Sequence, residues 1–154
     1  MTMCSASVRR STPLSEVFPK KAFWVRSQAT LSALDSFSEP DLAVLRGARY
    51  AGKGIPDAST ALLVVEISDT TLLFDTTIKA SLYAAAGVPE YWVLNIPDRT
   101  LIVHREPIVS TAARFGVRYG NVRDMLPGTK IAPLCASEAL FDPADLLPPL
   151  TPAM

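Results

Sequence analysis

The chain has 154 residues, enough for one domain with a sizeable core. Hydrophobic residues make up 49% and charged residues 19%, which excludes a disordered chain. Fifteen basic residues balance 15 acidic ones, so there is no global attraction to nucleic acid, although local basic patches remain open.

The chain-order reading begins with an irregular segment over residues 1–13, followed by a domain over 14–148. Leu14 to Phe18 reads as the tail of a helix stopped by Pro19. Phe23 to Gln28 is rich in aromatic and β-branched residues and predicts a strand, which Thr30 to Leu34 extends or pairs with. Asp41 to Arg46 is a short apolar strand opened by a carboxylate after Pro40. The glycines from Gly47 onward make residues 47–59 a loop. Ala61 to Ile67 is a nearly unbroken apolar run, as in a strand covered on both faces, and Glu66 interrupts it.

Thr70 to Ala86 predicts one helix, capped by Ser68 or Asp69 and ended by Gly87. Leu73, Ile78, Leu82 and Ala85 fall near one face of it, and Asp75 and Lys79 fall on another. Tyr91 to Ile96, a Pro97-Asp98-Arg99 turn and Thr100 to His104 make a hairpin. Arg114 to Tyr119 and Lys130 to Leu134 are further strand candidates, and Pro143 to Leu147 is a short helix. Residues 149–154 form a frayed, proline-rich tail. This order predicts an α/β or α+β domain with a mixed sheet and one long helix packed on it. Cys4 and Cys135 lie far apart with no CxxC pair, which fits free thiols in a reducing compartment. There is no run of ~18 apolar residues and no apolar stretch after Arg9 and Arg10, so the expectation is a cytoplasmic protein without a membrane span.

Two acids stand out by position. Asp41 opens a strand, and Glu66 sits inside the most apolar segment, where an ionised carboxylate is costly without a partner. A salt bridge to Arg or Lys, or a strand end reaching water, meets that cost. So does a pair of carboxylates converging on a divalent cation, the arrangement that phosphodiester hydrolysis uses to polarise phosphate and activate water. Lys79 is either a solvated helix lysine paired with Asp75 or an amine that stabilises charge at such a site. Tyr83, one turn later, is either a neighbour of the site or a core tyrosine. Trp92 reads as core, and His104 as a surface or structural histidine with no nearby nucleophile.

Several stretches together resemble the Uma-type family of restriction endonucleases. They are Val25 to Gln28, Glu39-Pro40-Asp41-Leu42-Ala43-Val44, Leu63-Val64-Val65-Glu66-Ile67-Ser68, Asp75 with Lys79, and Tyr83 through Val93. Arg105-Glu106-Pro107 and Asp145-Leu146-Leu147-Pro148 fit as well. The resemblance implies the PD-(D/E)xK nuclease fold, a restriction-endonuclease-like mixed central sheet with flanking helices. It implies Asp41 and Glu66 as metal-binding carboxylates for Mg, with Mn as a substitute, and DNA as substrate. Ser68 stands where the usual lysine follows the glutamate by two residues, and Lys79 supplies the amine instead. Asp75, Tyr83 and Ser68 are candidate neighbours of that set. Two departures stand against the pattern. Asn95 replaces an aspartate after the Tyr-Trp strand, and the family's first helices are missing, so the N-terminus looks shortened. Exposed sheet would then favour a homodimer. The rival expectation is an inactive remnant acting as a binding or assembly module.

Overall fold

The computed structural model describes Phe18, residues 22–47 and residues 54–148. The expected helix tail at Leu14 to Phe18 and the C-terminal tail lie almost wholly outside the described residues. Among the described residues there are eight strands: β1 (Phe23–Ser27), β2 (Leu31–Ala33), β3 (Ser36–Ser38), β4 (Leu42–Arg46), β5 (Ala61–Ser68), β6 (Glu90–Asn95), β7 (Thr100–Val109) and β8 (Val117–Met125). The described residues also form the α-helices α1 (Leu72–Thr76), α2 (Ile78–Ala85) and α3 (Pro143–Leu146). Six strands form one mixed sheet in the order β1-β4-β5-β6-β7-β8, in which only the β5–β6 pair is parallel. A parallel pair needs a crossover, and α1 and α2 provide it.

The two central strands are apolar because both of their faces are covered, as the run in Ala61 to Ile67 predicts, except at Ile67, which is exposed. On the helix side Ala43, Leu45, Val64, Tyr83, Tyr91 and Val93 share one core cluster. On the other side Val44, Leu63, Val65, Trp92, Leu94 and Phe141 form a second. Trp92 is therefore core, as read from the sequence.

Several local expectations are corrected. Residues 31–33 do not extend β1; they pair with β3 in a separate two-stranded hairpin, turned by Leu34 at φ 54°. Lys130 to Leu134 makes no strand beyond a single bridge between Ile131 and Phe141, because this segment lies over the far face and bonds to side chains instead. The long helix breaks in two at Thr77, which has φ −116° and ψ −73°. Thr76 and Thr77 each turn a hydroxyl back to a carbonyl four residues earlier, Leu72 at 2.8 Å and Leu73 at 2.5 Å, which bends a helix.

The break rotates the buried face. Leu73 and Phe74 are exposed, while Asp75, Ala80, Ser81, Leu82, Tyr83 and Ala84 turn inward. Neither Ser68 nor Asp69 caps the start: Thr71 does, and its hydroxyl goes to Asp75 Oδ2 at 2.6 Å rather than to the backbone. Gly87 ends α2 as expected, at φ +91°, while Val88 N–H bonds back to Tyr83 O at 3.0 Å.

Candidate active site

The β4–β5 register pairs Leu42 with Val65, so Asp41 stands beside Glu66 just past the first rung. Side chains alternate across a strand. Ala43 and Leu45 face the helices, as does Val64, and Asp41 and Glu66 follow in the same phase. The two acids are cross-linked through the backbone. Asp41 N–H donates to Glu66 Oε1 at 3.1 Å, and Ile67 N–H donates to Asp41 Oδ2 at 2.6 Å.

From the other side α2 brings Lys79, whose Nζ is ion-paired with Glu66 Oε2 and lies 3.9 Å from Asp75 Oδ1. One turn later the buried Tyr83 hydroxyl shares a short hydrogen bond with Ser38 Oγ and lies 3.5 Å from Glu66 Oε2. Asp41, Glu66, Lys79, Asp75 and Tyr83 thus form one connected group. Lys79 is not a solvated helix lysine, and Asp75 is buried.

Burial raises the Glu66 pKa above its usual range. The hydrogen bond and charge of Lys79 and the Asp41 N–H oppose the shift, and the Asp41 charge adds to it. Burial and then the charge of Glu66 push the Tyr83 hydroxyl upward, so it stays a neutral donor at ordinary pH. Ser68 is fully buried, and its Oγ has no hydrogen-bond partner among the described residues.

Hard oxygen donors that outnumber the nearby amine suit a hard divalent cation, which can bind through one or two carboxylates while waters and phosphate oxygens complete its shell. Among the described residues no group of three or more His, Cys, Asp or Glu side chains is placed to hold a metal by protein ligands alone. Asp41 and Glu66 are the neighbouring carboxylates that could hold such a cation.

Sequence reasoning missed one contributor to this group, Ser38, and one buried acid outside it, Glu90. Ser38 comes from a three-residue strand that carries no pattern of its own. Glu90 is fully buried, accepts from Trp92 Nε1 and Arg105 Nε at 2.8 Å each, and takes Leu134 N–H at 2.8 Å on its other oxygen. A glutamate two residues before a tryptophan in an apolar strand is the only signal the sequence offers for it. His104 proves structural: it is buried, and its Nδ1–H donates to Tyr91 O at 3.1 Å. Asn95 ties the hairpin turn through Asp98 at 3.1 Å. A cavity of about 870 Å³ lies on the other side of α2, and neither Asp41, Glu66 nor Lys79 lines it.

A six-stranded mixed sheet with a central parallel pair and a helical crossover between its strands is a nuclease-like fold of the restriction-endonuclease-like class. The family model described as "Putative restriction endonuclease" (Uma2) matches residues 7–132. The chain belongs to that family. Among solved structures, it resembles a "putative nuclease belonging to DUF820" from Anabaena variabilis ATCC 29413, with a TM-score of 0.58 and 15% identity over 92% of this chain and 76% of that one. At that identity the likeness speaks for the fold. A comparison with curated proteins finds no match. No helix among the described residues is long and apolar enough to cross a membrane.

Proposed function

We propose that this chain is a metal-dependent DNA endonuclease in which Asp41 and Glu66 hold a divalent cation, Mg or Mn, and Lys79 supplies the amine. The observation that carries this reading is the convergence of Lys79 from α2 onto Glu66 beside Asp41. The bound cation would polarise a phosphodiester and lower the pKa of an attacking water. The residues of the chain do the rest. The Asp41 and Ile67 N–H groups fix the two carboxylates in place. Lys79, partly exposed beside buried Glu66, is placed to release the glutamate to the cation and turn its charge toward phosphate oxygens. The Tyr83 hydroxyl, held by Ser38, limits how far the Glu66 carboxylate can swing. Asp75, bonded to Thr71, keeps Lys79 near when Glu66 lets go. A reducing cytoplasm suits both a DNA substrate and the free thiol of Cys135.

The test is cleavage of plasmid DNA with Mg, Mn or EDTA, comparing the chain with Glu66→Gln. Cleavage that needs the metal and disappears in the variant supports the reading. Cleavage that persists in EDTA or in Glu66→Gln removes it.

A further inference from the structure

The first strand of the sheet places a cation on the face that carries the two acids. Phe23 and Val25 on β1 pack against the far cluster, and Trp24 packs against the helix-side cluster. Residues two apart on a strand share a face, so Arg26 stands on the helix side with Trp24. Its guanidinium lies over the Trp24 ring, 4.9 Å from the centroid, in agreement with that placement. Asp41 and Glu66 occupy the same face. In the β1–β4 register Arg26 stands opposite Ala43. The pairing continues past the end of β1, where Gln28 N–H donates to Asp41 O at 3.1 Å. Asp41, two residues before Ala43, is therefore the diagonal neighbour of Arg26. Diagonal neighbours lie about 7–8 Å apart, within reach of a long side chain.

Arg26 does not spend its charge on that neighbour. Among the described residues the ion pairs are those of Lys79 with Glu66 and Asp75 and of Arg105 with Glu90, and Arg26 belongs to none. Two tethers fix it instead. One is the Trp24 ring, whose face attracts a cation. The other is Thr30 O, which accepts from Arg26 Nη1 at 2.8 Å. A guanidinium carries five N–H donors in a planar fork, and Thr30 O takes one of them. The fork that remains matches two oxygens of a phosphate. A guanidinium paired with Asp41 would compete with a cation for that carboxylate. Tethered as it is, Arg26 leaves Asp41 to the cation and keeps its own donors for an anion, and it remains partly exposed.

We propose that Arg26 grips a backbone phosphate of the DNA, beside the one attacked at Asp41 and Glu66. The inference rests on the nuclease reading for its substrate, but its test does not use cleavage. A phosphate contact positions the duplex and carries no sequence information. Each phosphate neutralised adds about 0.9 to the slope of log affinity against log salt. An arginine that only fastened the turn after β1 through Thr30 O would affect folding and leave that slope alone.

The experiment is fluorescence anisotropy with two short duplexes of unrelated sequence, over a range of salt and in EDTA. EDTA keeps the duplex whole whichever cation the site takes, and thermal melts followed by circular dichroism check folding. Arg26→Met keeps an unbranched chain over Trp24 and removes the charge. It should weaken binding to both duplexes alike, by about tenfold, and lower the slope by about 0.9. Arg26→Lys keeps the charge without the fork, so it should retain the wild-type slope and bind more weakly than wild type. An unchanged slope in Arg26→Met would overturn the proposal. So would a loss confined to one duplex, which is the mark of a base contact. Arg26→Lys with the slope of Arg26→Met would overturn it too, because the loss would then come from an altered turn. A wild type with no salt-dependent affinity for either duplex has the same consequence. The nuclease reading stands or falls separately, on metal-dependent plasmid cleavage and its loss in Glu66→Gln.

Discussion

Lys79 approaches Glu66 from a helix, not from the strand that carries the glutamate. A lysine at position 68 would project from the same face of β5 as Glu66, into a place where the serine is already fully buried. An ammonium there would lose its hydration. From α2 the amine stays a quarter exposed and still makes the pair. This has two opposed consequences for Lys79→Ala. Removing a preorganised charge-stabilising donor typically costs about 10²–10³ in rate, so DNA cleavage should fall by that factor. Removing the cation also leaves a buried carboxylate with the Asp41 N–H as its nearest donor, at 3.1 Å. An unsatisfied buried group costs about 1–3 kcal/mol, and the already raised Glu66 pKa allows protonation to relieve part of that. The variant should therefore melt lower, yet bind Mg more tightly than wild type, since no internal cation competes for Glu66. Calorimetric titration with Mg beside a cleavage assay checks both. Weaker Mg binding in the variant would place the cation elsewhere.

At the scale of elements, Glu90 shows how one strand holds the far face of the sheet together. Its two oxygens collect Trp92, Arg105 and the Leu134 N–H, and Arg105 also reaches Ala132 O at 2.6 Å. β6, β7 and the segment before α3 thus meet at one carboxylate. Breaking a buried pair by removing one partner costs roughly 3–5 kcal/mol. Glu90→Ala should lose stability on that order in urea unfolding, while Glu90→Gln, which keeps acceptor and shape, should lose less. Equal losses would mean that the charge, which both variants remove, carries the whole contribution. The sequence exposes part of this design and hides the rest, for physical reasons. β5 and β6 are legible because burial on both faces demands unbroken apolar runs, and Gly87 is legible because a positive φ demands glycine. The inward face of the crossover helix was misread because Thr76 and Thr77 bend it through bonds that periodicity does not register. Asp41, Glu66 and Lys79 could be picked out by position and by the family pattern. Ser38 could not, because its partner Tyr83 lies 45 residues away, and Glu90 shows only through the tryptophan two residues on, since Arg105 and Leu134 lie 15 and 44 residues away.

Across the whole molecule, an aromatic column on the helix side links every layer. Tyr91 packs at a tilt against Tyr83 at 5.1 Å and His104 at 5.1 Å, and Tyr119 meets His104 edge-on at 5.6 Å. The Tyr91 hydroxyl bonds Asp75 O on α1, and the Tyr119 hydroxyl bonds Val88 O after α2, each at 2.8 Å. His104 is the one member whose charge changes near neutral pH. Burial lowers its pKa below the ordinary 6.5, and this outweighs the opposing pull of the Tyr91 and Ile102 backbone and of the Asp124 charge. The sign then follows. Above pH 6.5 His104 is neutral in both the folded and the unfolded chain and contributes no pH dependence. Below 6.5 the unfolded chain takes up a proton that the folded chain refuses, so stability falls with pH until the folded pKa is reached. The slope in that window is at most about 1.4 kcal/mol per pH unit. Urea unfolding from pH 7.5 down to 5 should show this decline in wild type. His104→Gln, neutral throughout, should lack the part that belongs to His104, whatever its own stability at pH 7.5. The difference between the two curves isolates the imidazole, because the carboxylates titrate alike in both. Parallel curves would mean that the column admits the imidazolium, with Asp124 close enough to compensate for its burial.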